Sequence, residues 1–135
     1  MPERKIKVLV VDDSMVNRKT VAELLRADPR IEVVGTATDP YMARDKILEL
    51  EPDVMALDTE MPKMDGYDLT RNVRGTRATA DIPIIMITSR TADKHRSFAM
   101  SLGVDAYLGK PYAEQELLER IADLVARGKD RKAQV

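Results

Sequence analysis

The chain has 135 residues, 44% of them hydrophobic and 33% charged, with a formal net charge of −1. That is one domain's worth, long enough to bury roughly two-thirds of its unfolded surface, and the balanced charge gives no electrostatic footprint for nucleic acid or an anionic membrane. Cysteine is absent, which excludes disulfides and thiolate chemistry; the basic start is followed by too short an apolar run for a signal-peptide core or a membrane span, so a cytoplasmic location is expected.

Taken in chain order, short apolar runs alternate with helical periodicity. Lys7–Val11, Ile31–Ala37, Val54–Asp58, Ile84–Thr88 and Ala106–Gly109 read as strands. The first, third and fourth are nearly continuous in apolar residues, as parallel strands covered on both faces should be. Between them, Val21, Leu24 and Leu25 share one face of a helix over Asn17–Arg26. Asp39 and Pro40, a capping acid with proline at the first helical position, open a helix over Met42–Leu50. Tyr67–Arg74 lies between Gly66 and Gly75, and Ala92–Leu102 ends at Gly103. Ala113–Ala126 gathers Leu117, Leu118, Ile121, Leu124 and Val125 on one face and stops at Gly128. Five strand–helix pairs joined by short connections predict a doubly wound, flavodoxin-like α/β fold whose parallel sheet runs in the order 2-1-3-4-5. One domain over residues 1–126 is expected, followed by a flexible tail or linker stub at 127–135.

In such a sheet, function sits outside the carboxyl ends of the strands. Here those ends carry Asp12 and Asp13 after the first strand, Asp58 at the tip of the third, Thr88 and Ser89 at the fourth, and Lys110-Pro111 after the fifth. A lone acid in such a loop is usually a helix cap; four strand ends converging on three carboxylates, a hydroxyl and an ammonium suggest chemistry. Three crowded carboxylates repel and need a cation. With no Cys and one His, an oxygen-ligated Mg²⁺ fits better than zinc or copper. The set suits phosphoryl transfer to the Asp58 carboxylate, where catalysis is mainly positioning and charge neutralisation. Mg²⁺ on Asp13, Asp58 and the backbone carbonyl of Glu60, with Asp12 nearby, would neutralise one phosphoryl oxygen. Lys110 would take a second, and Thr88 or backbone N–H groups the third.

On these residues the chain, over about residues 6 to 126, closely resembles the receiver domain of two-component response regulators. The family pattern maps onto Asp12 and Asp13, Asp58, Thr88 and Lys110-Pro111, with "MPKMDG" as the loop after the acceptor. The resemblance implies Mg²⁺ as cofactor, a histidine kinase or phosphotransfer domain as donor, and no enzymatic activity beyond self-phosphorylation and autodephosphorylation. It also implies a cis Lys110-Pro111 bond and a rotating aromatic at Tyr107, which would turn inward when Thr88 is drawn toward the phosphate. Phe98, Tyr107 and Tyr112 would then contribute to a face for a downstream effector. Within the family, "KIKVLVVDDS" and "LDTEMPKMDG" look like the receiver of the chemotaxis methylesterase; "PIIMITSRTADKHR" and "GVDAYLGKPYAEQELL" look like receivers of chemotaxis-type hybrid histidine kinases.

Other readings compete with these. Asp12 and Asp13 could cap the first helix, Lys110 could be a surface lysine, and Thr88 a β-former at a strand end. Glu60 and Arg90 either are solvated or tune the phosphate's lifetime. "LDTE" loosely resembles the Asp-x-Asp motif of haloacid-dehalogenase-like phosphohydrolases, but there the nucleophile follows the first strand rather than the third. An interaction module that has lost phosphorylation, natural or engineered, is the remaining alternative; the complete acceptor set speaks against it.

Overall fold

A computed structural model describes residues 5–12, 14–58, 60–61, 64–88 and 93–133, with the backbone alone at 40, 58, 60–61, 64–68 and 127–133. The strands are β1 (Ile6–Val11), β2 (Ile31–Ala37), β3 (Val54–Asp58), β4 (Glu60–Met61), β5 (Met64–Asp65), β6 (Ile84–Thr88) and β7 (Ala106–Gly109). The helices are α1 (Met15–Arg26), α2 (Pro40–Leu50), α3 (Gly66–Gly75), α4 (Asp93–Ser101) and α5 (Glu114–Ala133). Five strands form one sheet in the order β2-β1-β3-β6-β7, parallel throughout. This is the doubly wound order expected.

Alternation along the strands separates two cores. Leu9, Val11, Met55, Leu57, Ile84 and Met86 face one side with Ile47 of α2, Val73 of α3 and Ala99 of α4. Val8, Val10, Val54, Ala56, Ile85 and Ile87 face the other, with Leu25 of α1 and Leu117, Ile121 and Leu124 of α5. Neither face of the sheet is left to water, which is why β1, β3 and β6 read as near-continuous apolar runs.

Local signals start the helices. Asp39 Oδ1 accepts the Met42 N–H at 2.8 Å, with Pro40 at the first helical position. At α1 the cap is Ser14, whose Oγ accepts the Asn17 N–H at 3.3 Å. Three features differ from the sequence reading. The helix α5 continues to Ala133, because one glycine among Lys, Arg and Ala costs only about 1 kcal/mol of propensity. The loop after β3 contains a small antiparallel pairing, Glu60 with Asp65 and Met61 with Met64, too short to leave a periodic signal. A 3₁₀ turn over Arg77–Thr79 follows α3, tied back where Thr79 Oγ1 donates to the Val73 carbonyl at 2.7 Å.

The amino edge of the sheet is closed by one guanidinium. Arg74 of α3 donates from Nε to the Gly103 carbonyl at 2.9 Å and from Nη1 to the carbonyls of Ala80 at 2.9 Å and Ile82 at 2.6 Å. Its Nη2 donates to Asp105 Oδ2 at 2.7 Å, and the same oxygen accepts the Ile84 N–H at 2.8 Å. Gly103 is required here twice over. Its φ of +105° suits glycine, and a Cβ would stand 3.0 Å from Arg74 Nε.

Candidate functional site at the carboxyl edge

The carboxyl ends of β1, β3, β6 and β7 are adjacent because the sheet order makes them so, and each arrives with a polar residue. Asp12 follows β1, held by its N–H donating to the Ala37 carbonyl at 3.0 Å. It is only 4% exposed. Its Oδ1 accepts the Ser14 N–H at 2.9 Å, and its carbonyl accepts from Arg18 Nη1 at 2.9 Å. Since Ser14 is the cap of α1, the Asp12 carboxylate shapes the turn without capping the helix.

Asp58 is the last residue of β3, in register with Ile87 of β6, whose next residue is Thr88. Thr88 is fully buried and pairs in register with Gly109 of β7. The Lys110 N–H donates to the Thr88 carbonyl at 2.7 Å, and the Lys110-Pro111 bond is cis. The carriers of the hydroxyl and of the ammonium are therefore joined through the backbone. Asp12 and Lys110 also line a common cavity of about 320 Å³ between α1 and the start of α5.

Asp13 and Arg90 lie outside the described residues, as do the side chains of Asp58 and Glu60. Among the described residues no group of three His, Cys, Asp or Glu could hold a metal ion; two of the three expected carboxylates are outside that set. The described donor, Asp12, fits a hard cation in chemistry: a buried carboxylate at the mouth of the sheet.

The aromatics expected at the effector face are distributed over α4, the edge strand β7 and the turn before α5. Tyr107 is 9% exposed and belongs to the core on the α2, α3 and α4 side. Tyr112 packs against the opposite core, on the α1 and α5 side, and lines the cavity with Asn17 and Thr20. Phe98 of α4 is 46% exposed. The sequence reading missed Ser14 and Arg18. A serine just ahead of an apolar helical stripe is a cap signal; nothing in the pattern marked Arg18 for the Asp12 carbonyl.

The same arrangement recurs in known proteins. Residues 8–122 match the profile of the response regulator receiver domain. A protein-glutamate methylesterase/protein-glutamine glutaminase of Hydrogenovibrio crunogenus is 43% identical over 124 residues, 91% of this chain and 33% of that protein. One from Anaeromyxobacter dehalogenans is 45% identical over 132 residues, 96% of this chain and 36% of that protein. The chain thus spans about a third of the length of these relatives, and the likeness is not confined to its amino-terminal half. Among solved structures, the response regulator domain of Thermotoga maritima CheB is similar, with a TM-score of 0.81 and 31% identity over 91% of this chain and 98% of that one. The signal receiver domain of the putative response regulator NarL from Mycobacterium tuberculosis gives 0.83 and 27% over 92% and 98%. With the sheet order, the strand-end residues and a match over most of its length, the chain belongs to the response regulator receiver family.

Proposed function

We propose that this receiver accepts a phosphoryl group on the carboxylate of Asp58 from a phosphohistidine of a kinase or phosphotransfer domain. A carboxylate oxygen of Asp58 forms the new P–O bond as the P–N bond to the donor breaks, and the imidazole leaves with the electron pair and takes up a proton. The observation that carries the reading is positional. The tip of β3 stands between the ends of β1 and β6, flanked by a buried carboxylate at Asp12 and a fully buried hydroxyl at Thr88. The Lys110 backbone is hydrogen-bonded to that same Thr88.

Asp12, Asp13, Asp58 and the Glu60 carbonyl would hold Mg²⁺, which when bound supplies charge neutralisation for the phosphoryl oxygens. Lys110 pairs with a second oxygen as a charge-assisted donor, and the Thr88 hydroxyl donates to a third. Glu60 and Arg90 tune the lifetime of the acyl phosphate by controlling how water approaches. The chemistry proposed is confined to the chain's own modification and its hydrolysis. The ester hydrolysis in the relatives' names is not assigned to these residues. We further propose a chemotaxis pathway and a cytoplasmic setting. No helix among the described residues is long and apolar enough to cross a membrane.

Acetyl phosphate tests the acceptor directly, because Asp58 would displace acetate and retain the phosphoryl group. Intact mass should rise by one phosphoryl unit with Mg²⁺, and Asp58→Asn should abolish the gain. An equal gain in that variant would overturn the assignment.

A further inference from the structure

The cavity between α1 and the start of α5 is not explained by phosphoryl transfer. Its floor is the α1/α5 face of the sheet, formed by Val10, Ala56 and Ile87, and Val21 lines it from α1. Asp12 and Lys110 line it toward the carboxyl edge. At about 320 Å³, and open to solvent beside the exposed Asn17 and Thr20, it falls at the lower end of the size range of small-molecule sites. Among the described residues the end toward the carboxyl edge is lined by one acid and one base, Asp12 and Lys110. A neutral head that can both donate and accept suits the pair.

We propose that this cavity binds a small uncharged amphiphile, a ring-sized apolar body with one hydroxyl or amide head, and that the ligand antagonises the metal through Asp12. A head that donates to the Asp12 carboxylate competes for the negative charge that a cation would use. By linkage the metal then weakens the ligand by the same factor. The binding half stands on the cavity alone; the antagonism rests on the acceptor reading above.

The probe is 4-fluorophenol, titrated into the full chain and followed by amide shifts and by its own fluorine signal. Saturable shifts are expected at Thr20, Val21 and Ile87, with a dissociation constant of about 1 mM, as suits so small a ligand. Val21→Phe, which fills the space, should remove them. Should that variant unfold, Thr20→Phe, at an exposed position on the wall, serves in its place. Saturating Mg²⁺ should weaken the probe about threefold or more in wild type. Absent or non-saturating shifts, or shifts that persist in the filled variant, overturn the site. An affinity unchanged by Mg²⁺ overturns the antagonism and leaves the site standing. The phosphoacceptor reading is judged separately by intact mass, since neither titration contains a phosphodonor.

Discussion

Arg74→Ala removes the guanidinium that closes the amino edge of the sheet, and the size of its effect follows from the contacts. Four hydrogen bonds between 2.6 and 2.9 Å are lost, three to carbonyls and one to the Asp105 carboxylate. Both charged side chains are 21% exposed, so the pair lies between a surface bridge, worth about 0–1 kcal/mol, and a fully buried one, whose disruption costs about 3–5 kcal/mol. Water can reach the abandoned groups in part, which places the expected loss at about 2–3 kcal/mol. For a domain of this size that lowers the melting temperature by about 10 °C. Urea unfolding followed by circular dichroism measures it. Arg74→Lys should recover less than half, because an ammonium cannot fork to three carbonyls on two segments. A double-mutant cycle with Asp105→Asn should return a coupling of about 1–3 kcal/mol. A loss under about 1 kcal/mol, or additive variants, would refute the argument that the clasp holds this edge.

Gly103→Ala should cost more than about 1 kcal/mol in the same assay, since it combines a strained positive φ with the crowding of Arg74; a neutral result would refute both. Mg²⁺ at a hundred times its dissociation constant should stabilise the native state by about 2.7 kcal/mol. Asp13→Ala or Asp58→Ala should abolish most of that gain, whereas melting temperatures several degrees lower without metal in both would make the carboxylates structural. The carboxyl of Asp28 is held below its ordinary range, first by the side-chain hydrogen bonds of Arg30 and then by the Arg30 N–H. The stabilisation is therefore full above the ordinary carboxylate range and lost as pH falls through the depressed value. Asp28→Asn should lower stability slightly near neutrality, Arg30 being mostly exposed, and the deficit should close on acidification; a deficit that widens in acid reverses the sign and fails. Beryllofluoride, a mimic of the acyl phosphate, should move the amide signals of Thr88, Tyr107 and Phe98. In Thr88→Ala the shifts around Asp58 should survive and those at Phe98 collapse.

Much of this was legible because the strands are buried on both faces. Ile31–Ala37, Val54–Asp58, Ile84–Thr88 and Ala106–Gly109 match the structure residue for residue, since a continuous apolar run bounded by polar turns admits few other readings. The strand-end positions of Asp12, Asp58, Thr88 and Lys110 were legible once the sheet order was inferred. What escaped depends on contacts between residues distant in sequence. Nothing local connects Arg74 with Asp105, which lie 31 positions apart. Tyr107 and Tyr112 are five residues apart, and the turn at Lys110-Pro111 lies between them. It carries the chain from the strand, where Tyr107 packs on one core, to the start of α5, where Tyr112 packs on the other.

The pair β6 and β7 is fastened at both ends by hydrogen bonds beyond the regular ladder. At the amino edge the Ile84 N–H donates to Asp105 Oδ2 and the Asp105 N–H to the Ile84 carbonyl at 3.0 Å. At the carboxyl edge the Lys110 N–H donates to the Thr88 carbonyl. Four residue steps separate these fastenings along β6, about 13 Å, beyond the range over which substitutions ordinarily couple. Changes in the clasp should therefore alter stability and leave the carboxyl-edge chemistry intact. The second fastening uses only backbone atoms of Thr88, so Thr88→Ala removes the hydroxyl without releasing Lys110. That separates two roles of one residue. If the lysine's position depends on the strand and the remote response on the hydroxyl, the variant should still take phosphate from acetyl phosphate while its Tyr107 and Phe98 signals stay still. Loss of phosphorylation and response together would mean that the hydroxyl serves the chemistry itself, and that the switch cannot be separated from it at this position.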